Sequence, residues 1–286
     1  MKKKFLGFAV ALCGLTLSSH AALVAHYKFN EAAAATLATE ELGGTSGVIG
    51  SSVVTGVAGI SGNAYEFPDL ATAAGIVDMG EASFYLGTTG LNNATAVTYS
   101  LWMKSTDSDP NRSAILYSGS STVANSYQDI GLSGEVNVGA TLADGSAYGR
   151  NRPVGASGTQ QTGVGSGSTL IHDGNWHHLA MTIDLGTSLL SIYVDGNLAG
   201  TQSLVGGVND FPDFNNFEIG RLGRTGGSGP TDALGGFVDD VQVYNTALSA
   251  AQITLLHASP GTAIPEPGTL ALAGIGLLSL ARRRRA

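Results

Sequence analysis

Chemistry in this chain has to come from few charged side chains, because Asp, Glu, Lys and Arg make up only 13% of its 286 residues. One adjacent acidic pair is Asp239-Asp240, inside the run Gly236-Phe237-Val238-Asp239-Asp240-Val241-Gln242-Val243-Tyr244. Strand alternation puts Asp239 on the face of Phe237, Val241 and Val243, and a carboxylate on an apolar face has to be neutralised or hydrogen-bonded. A calcium ion, held by carboxylate and carbonyl oxygens, would do this; backbone amides or an arginine would do it equally well. His177 and His178 are adjacent in a strand pattern, so their imidazoles point to opposite faces and cannot share one ion, which leaves strand packing as their reading. Retaining glycoside hydrolysis needs two carboxyl groups about 5 Å apart. Asp184, Asp195 and Glu218 stand singly, and no Gly-x-Ser-x-Gly elbow lies between a strand pattern and a helix pattern.

A second kind of chemistry is sugar stacking. Tyr127, Tyr148, Phe211 and Phe214 lie in polar, loop-like segments beside Arg150, Asn151, Arg152 and Asn215. Tyr148 with Arg150 and Arg152 is the candidate ligand-binding set: a flat ring for a pyranose, with guanidinium donors next to it. The competing reading is that such rings pin loops to the body of the protein.

The elements that would position these residues read as β. In Trp176 to Thr201, Leu179, Met181 and Ile183 alternate with His178, Ala180 and Thr182, and Leu190, Ile192 and Val194 alternate with Ser191, Tyr193 and Asp195. Asp195-Gly196 supplies the positive φ angles of a tight hairpin before Asn197 to Thr201 returns. Such a ribbon cannot bury its apolar face alone and needs a second sheet. Further strand patterns cover Leu23 to Phe29, Gly62 to Phe67, Ile76 to Gly80, Val97 to Lys104, Ala114 to Gly119, Tyr127 to Leu132, Glu135 to Ala140, Phe217 to Arg221 and Gly236 to Tyr244. Ala143 to Ser168 has no apolar periodicity and reads as a long loop or irregular hairpin. Ser249 with Gln252 predicts a capping box for a short helix over Ala250 to His257. Residues 22 to 264 carry seven basic against 21 acidic side chains, net −14, which disfavours nucleic acid as a partner and suits a divalent cation or neutral sugars. The one cysteine, Cys13, lies in the leader, so the body has no disulfide.

Several of these runs resemble laminin-G-like, concanavalin A-like domains. They are Asp173-Gly174-Asn175-Trp176-His177-His178-Leu179-Ala180, Ile192-Tyr193-Val194-Asp195-Gly196, the opening Tyr27-Lys28-Phe29-Asn30-Glu31 and the closing Gly236 to Tyr244. The resemblance implies an all-β fold, a jelly-roll sandwich of two antiparallel sheets spanning residues 22–258. It also implies that the first and last strands are neighbours, with a structural calcium near Asp239 and Asn30. Asn30 stands where aspartate is commoner. The hydrolases of the same sandwich type carry Glu-x-Asp-x-x-Glu on one strand, a run missing here. The implied role is a non-catalytic binding or adhesion domain for a polysaccharide or glycoconjugate. The alternatives are a structural matrix protein without a specific ligand, and a polysaccharide hydrolase or lyase.

Both ends read as addresses. Lys2 to Lys4, the apolar run Phe5 to Leu17 and Ser19-His20-Ala21 form a signal peptide over residues 1–21 for signal peptidase, too short for a membrane span. Residues 259–267 form a linker ending in Pro265-Glu266-Pro267, and residues 268–286 form an apolar segment closed by Arg282-Arg283-Arg284-Arg285. That order resembles the PEP-CTERM sorting signal handled by exosortase-type proteases of Gram-negative bacteria. It implies export to the cell envelope or beyond, with membrane contact through the C-terminal segment; a plain membrane anchor is the alternative.

Overall fold

The computed structural model describes residues 23–86, 90–106, 113–133, 142–153, 161–205, 214–225 and 230–264. Among these, sixteen strands numbered in chain order form two eight-stranded sheets, and one helix follows the last strand. The first sheet contains β1 (Leu23–Tyr27), β4 (Val54–Ala58), β5 (Asn63–Pro68), β7 (Ala96–Lys104), β12 (His177–Asp184), β13 (Leu189–Val194), β14 (Asn197–Ser203) and β16 (Gly235–Tyr244). The second contains β2 (Leu37–Ala38), β3 (Gly47–Ile49), β6 (Val77–Gly80), β8 (Ser113–Gly119), β9 (Tyr127–Ser133), β10 (Ser146–Arg152), β11 (Thr162–Leu170) and β15 (Asn216–Ile219). Every ladder is antiparallel, in the orders β14-β13-β12-β7-β16-β5-β4, with β1 also on β16, and β11-β10-β9-β8-β15-β6-β3-β2. β5 and β6, neighbours in sequence, enter different sheets.

The inner faces follow from period-two patterning. Val97, Tyr99, Leu101 and Met103 of β7, Leu179, Met181 and Ile183 of β12, and Leu190, Ile192 and Val194 of β13 all enter one core. Leu116, Ile130, Phe217, Ile219, Val77 and Met79 meet them from the second sheet. Each such side chain contributes about 1.5–3 kcal/mol through burial. The central hairpin turns at Asp195 (φ 50°) and Gly196 (φ 76°), the left-handed pair that matches strand twist. β1 returns beside β16, with Tyr27 opposite Val241.

Two expectations change. Tyr148, Arg150 and Arg152 do not lie in a loop: Ala143 to Ser168 contains the paired strands β10 and β11. Their apolar periodicity is missing because the inner face of β10 is small, with Gly149 against Met181, where an added Cβ would come within 2.7 Å of the sulfur. The outer face is polar. Second, Asp239 does not share a face with Val241 and Val243. β16 bulges between Asp239 and Gln242, with Asp240 at φ 50°, so Val238, Val241 and Val243 face the core and Asp239 lies opposite Trp102 on the outer side. The expected strand at Glu135 to Ala140, Phe211, and both terminal address segments lie outside the described residues.

Candidate functional site

The outer face of the second sheet carries a cross-strand row of polar side chains. Arg150 pairs with Asp129, Asp129 with Tyr117, Tyr117 with Glu218 and Glu218 with Asp78, from β10 through β9, β8 and β15 to β6. Tyr127 and Tyr148 lie on the same face, since alternation puts residues two apart on one side. Two ionic forks hold the row. Arg150 Nε and Nη2 donate to Asp129 Oδ1 and Oδ2 at 2.8 and 2.7 Å, and the Tyr148 hydroxyl donates to Oδ2 at 2.7 Å. Arg221 Nε and Nη2 donate to Glu218 Oε2 and Oε1 at 2.6 and 2.9 Å. Arg150 is 2% exposed and Asp129 fully buried, so this pair is stable only because each partner neutralises the other.

Between the forks lie two hydroxyls without hydrogen-bond partners among the described residues. Tyr117 and Tyr127 are fully buried, their rings 5.8 Å apart, and neither Oη has a hydrogen bond. Burial, then the negative charge of Glu218, pushes the Tyr117 hydroxyl well above its ordinary pKa, so it is a neutral donor. Leu222 roofs this pair and Leu142 packs on Tyr148. Gly223 is required beneath the roof, because a Cβ there would meet Glu218 Oε2 at 2.2 Å. The guanidinium of Arg150 sits 4.8 Å over the Tyr127 ring and that of Arg152 5.8 Å from it. The structure therefore brings Tyr127, Tyr148, Arg150 and Arg152 together, yet the buried rings pin structure and offer no face to a pyranose. Phe214 is buried near Tyr85, Asn151 accepts from Gln128 on the inner side, and Asn215 caps the Ser121 amide. Asp129 and Tyr117 were missed from sequence; the alternation Tyr127-x-Asp129 against Tyr148-x-Arg150-x-Arg152 is the signal that finds them.

The cation candidate is on the other sheet. Asp239 Oδ2 accepts from the amides of Ile60 and Ser61 at 2.9 and 3.0 Å, while Oδ1 is buried with no hydrogen-bond partner among the described residues. Asn30 Oδ1 accepts from the Asn63 amide at 2.7 Å, so both side chains grip the turn 59–63. The donor set fits calcium: an orphaned carboxylate oxygen beside a glycine-rich turn and a side-chain amide oxygen. Burial raises the Asp239 carboxyl to about 7, as expected for a carboxylate oxygen lacking a counter-charge. Among the described residues no group of three His, Cys, Asp or Glu converges on a metal position. His177 bonds Asp195 and Asp173, whereas His178 bonds Ser100, so the two imidazoles serve different partners.

A two-sheet antiparallel sandwich with one covered and one polar outer face defines a lectin-like β-sandwich protein. The chain belongs to the concanavalin A-like lectin/glucanases superfamily, which it matches over residues 78–254, and it carries a PEP-CTERM protein-sorting motif at residues 263–285. That motif implies export to the envelope or outside the cell. Among solved structures it is similar to the binding domain of botulinum neurotoxin serotype G (11% identity, TM-score 0.57, 83% of this chain and 51% of that one). It is also similar to the serotype C1 binding domain (12%, TM-score 0.53, 80% and 52%) and to Trypanosoma rangeli sialidase (19%, TM-score 0.55, 82% and 32%). The chain thus spans about half of each neurotoxin domain and a third of the sialidase, and at these identities the likeness is one of fold. No curated protein matches the chain. Among the described residues no helix is long and apolar enough to cross a membrane.

Proposed function

We propose that this is an exported, non-catalytic binding domain for envelope or extracellular polysaccharide, with the outer face of the second sheet as its ligand face. The observation carrying this reading is the pair of partnerless hydroxyls, Tyr117 and Tyr127, set between two ionic forks in a lectin-type sandwich. An unsatisfied buried hydroxyl costs about 1–3 kcal/mol, a cost removed when a ligand hydroxyl fills the gap. Access requires the Leu222 roof to lift. Asp129 and Glu218 each use both oxygens on a guanidinium, which supports binding over acid-base catalysis. Calcium on Asp239 Oδ1, with Asn30 and carbonyls of the turn 59–63, belongs to the proposal as a structural ion that fixes β16 to that turn. Membrane contact is assigned to the C-terminal segment, and exosortase-type cleavage to the Pro-Glu-Pro motif.

An array of neutral and acidic polysaccharides tests the function. Saturable binding to a subset, with no new reducing ends, is expected. Binding to none would leave a matrix protein without a specific ligand. Release of reducing ends, abolished by one carboxylate substitution, would make the protein a hydrolase.

A further inference from the structure

The outer face of the first sheet holds the segment directly before Pro265-Glu266-Pro267. The helix α1 (Ala250–Ala258) folds back onto this sheet, burying Ile253 and Leu256 in a cluster with Ala180, Tyr193, Tyr244 and Leu248. The chain then continues across β16 instead of departing. Asp240 Oδ2 accepts from the Gly261 amide at 2.7 Å, and its Oδ1 accepts from Gln242 at 3.0 Å and bonds His26 Nε2 at 2.6 Å. The Gln242 amide reaches the Thr262 carbonyl at 3.5 Å, and Tyr244 donates to Gln242 Oε1 at 2.6 Å. The Ile264 side chain packs on the α1 cluster, which includes Tyr244. Gly261, at φ 75°, lies against Ser61, where a Cβ would meet the hydroxyl at 2.3 Å. Leu23 packs on the same cluster and pairs with Tyr244.

We infer that residues 259–264 are a latch and not a free tether. Asp240 and Gln242 hold Gly261 and Thr262 on the sandwich, and the cluster with Tyr244 holds Ile264, the residue before the Pro-Glu-Pro motif. Leu23, the second residue after the expected leader, leaves from the same cluster. The surface bearing Leu23, Tyr244 and Ile264 is therefore the one that meets the membrane-side sorting protease, and the polar face of the other sheet points away from it. A protease needs an extended stretch on both sides of its target bond, so cleavage next to a latched segment waits on local opening of that segment. This inference rests on the sorting motif and is independent of the ligand.

Two measurements on the full-length chain test it. Hydrogen exchange should show the Gly261 amide protected by about 100-fold or more over an unstructured peptide. Second, ten Gly/Ser residues inserted between Ile264 and Pro265 should leave the melting midpoint unchanged and speed C-terminal processing several-fold, followed by mass spectrometry in a host with an exosortase-type protease. Gly261→Pro, which removes the bonded amide at an incompatible φ, should speed processing likewise. Exchange at unstructured rates, or processing that the spacer leaves unchanged, slows or never brings about, would overturn the latch.

Discussion

The two outer faces of the sandwich solve the same problem in opposite ways. On the first sheet, buried polar groups form a connected chain from His26 through Asp240 and Gln242 to Tyr244 and the backbone of Gly261. That network is covered by the protein's own helix and linker. On the second sheet Asp129 and Glu218 are each held by an arginine, Asp78 takes the Gly80 amide, and two tyrosine hydroxyls of the same row are left unmatched among the described residues. A satisfied network closes a face, whereas an unsatisfied one reserves it for something else. The first face also keeps gaps, at Trp102 Nε1, His178 Nδ1 and Asp239 Oδ1, and a cation is proposed at the last of these.

The strongest way to break this contrast is to remove one member of a fork. Arg150→Met should destabilise the protein by about 3–5 kcal/mol in urea unfolding, because it strands a buried carboxylate, and adding Asp129→Leu should recover most of the loss. A double variant no more stable than the single one would show that the fork is incidental to this face. On the first sheet the matching weak point is His178, 1% exposed, which burial and then His257 push down to about 4. The unfolded chain takes up this proton near pH 6.5 and the folded chain does not until about pH 4, so stability is lost as pH falls between those values, by about 3 kcal/mol. His177, held up by Asp195 and Asp173, works with the opposite sign. Comparing melting midpoints of His178→Gln and the parent chain from pH 7 to 4 isolates the first contribution, and parallel curves would remove it. Calcium is a third lever: at about 100-fold excess over its Kd it should stabilise the protein by about 2.7 kcal/mol. Asp239→Asn should abolish that shift, and a parent chain whose midpoint calcium leaves unmoved would end the cation proposal.

How much of this could be read from sequence differs between the same two faces. The ribbon from Trp176 to Thr201 and the capping box at Ser249 were legible because their signals are local: alternation of apolar residues, Asp-Gly at the turn, Ser and Gln three apart. β10 and β11 were not, because glycine on the inner side and arginine and tyrosine on the outer side erase the apolar rhythm while keeping its period. Asp239 was singled out from an alternation that the strand does not keep. The bulge at Asp240 that assigns its face is a single residue in left-handed conformation, for which aspartate is an unspecific signal. The Arg150–Asp129 fork is invisible locally, since its members lie 21 residues apart and only the register of β9 on β10 brings them opposite, whereas Glu218 and Arg221 are three residues apart.

The reserved face is tested most directly by the smallest change, Tyr117→Phe with Tyr127→Phe. If these hydroxyls wait for a ligand, removing them relieves two desolvated groups, so unfolding should show stability unchanged or raised by about 1 kcal/mol. Binding of the array-selected polysaccharide, measured by calorimetry on the same samples, should fall at least tenfold. Loss of stability with unaltered binding would contradict the assignment and return both tyrosines to a purely structural role.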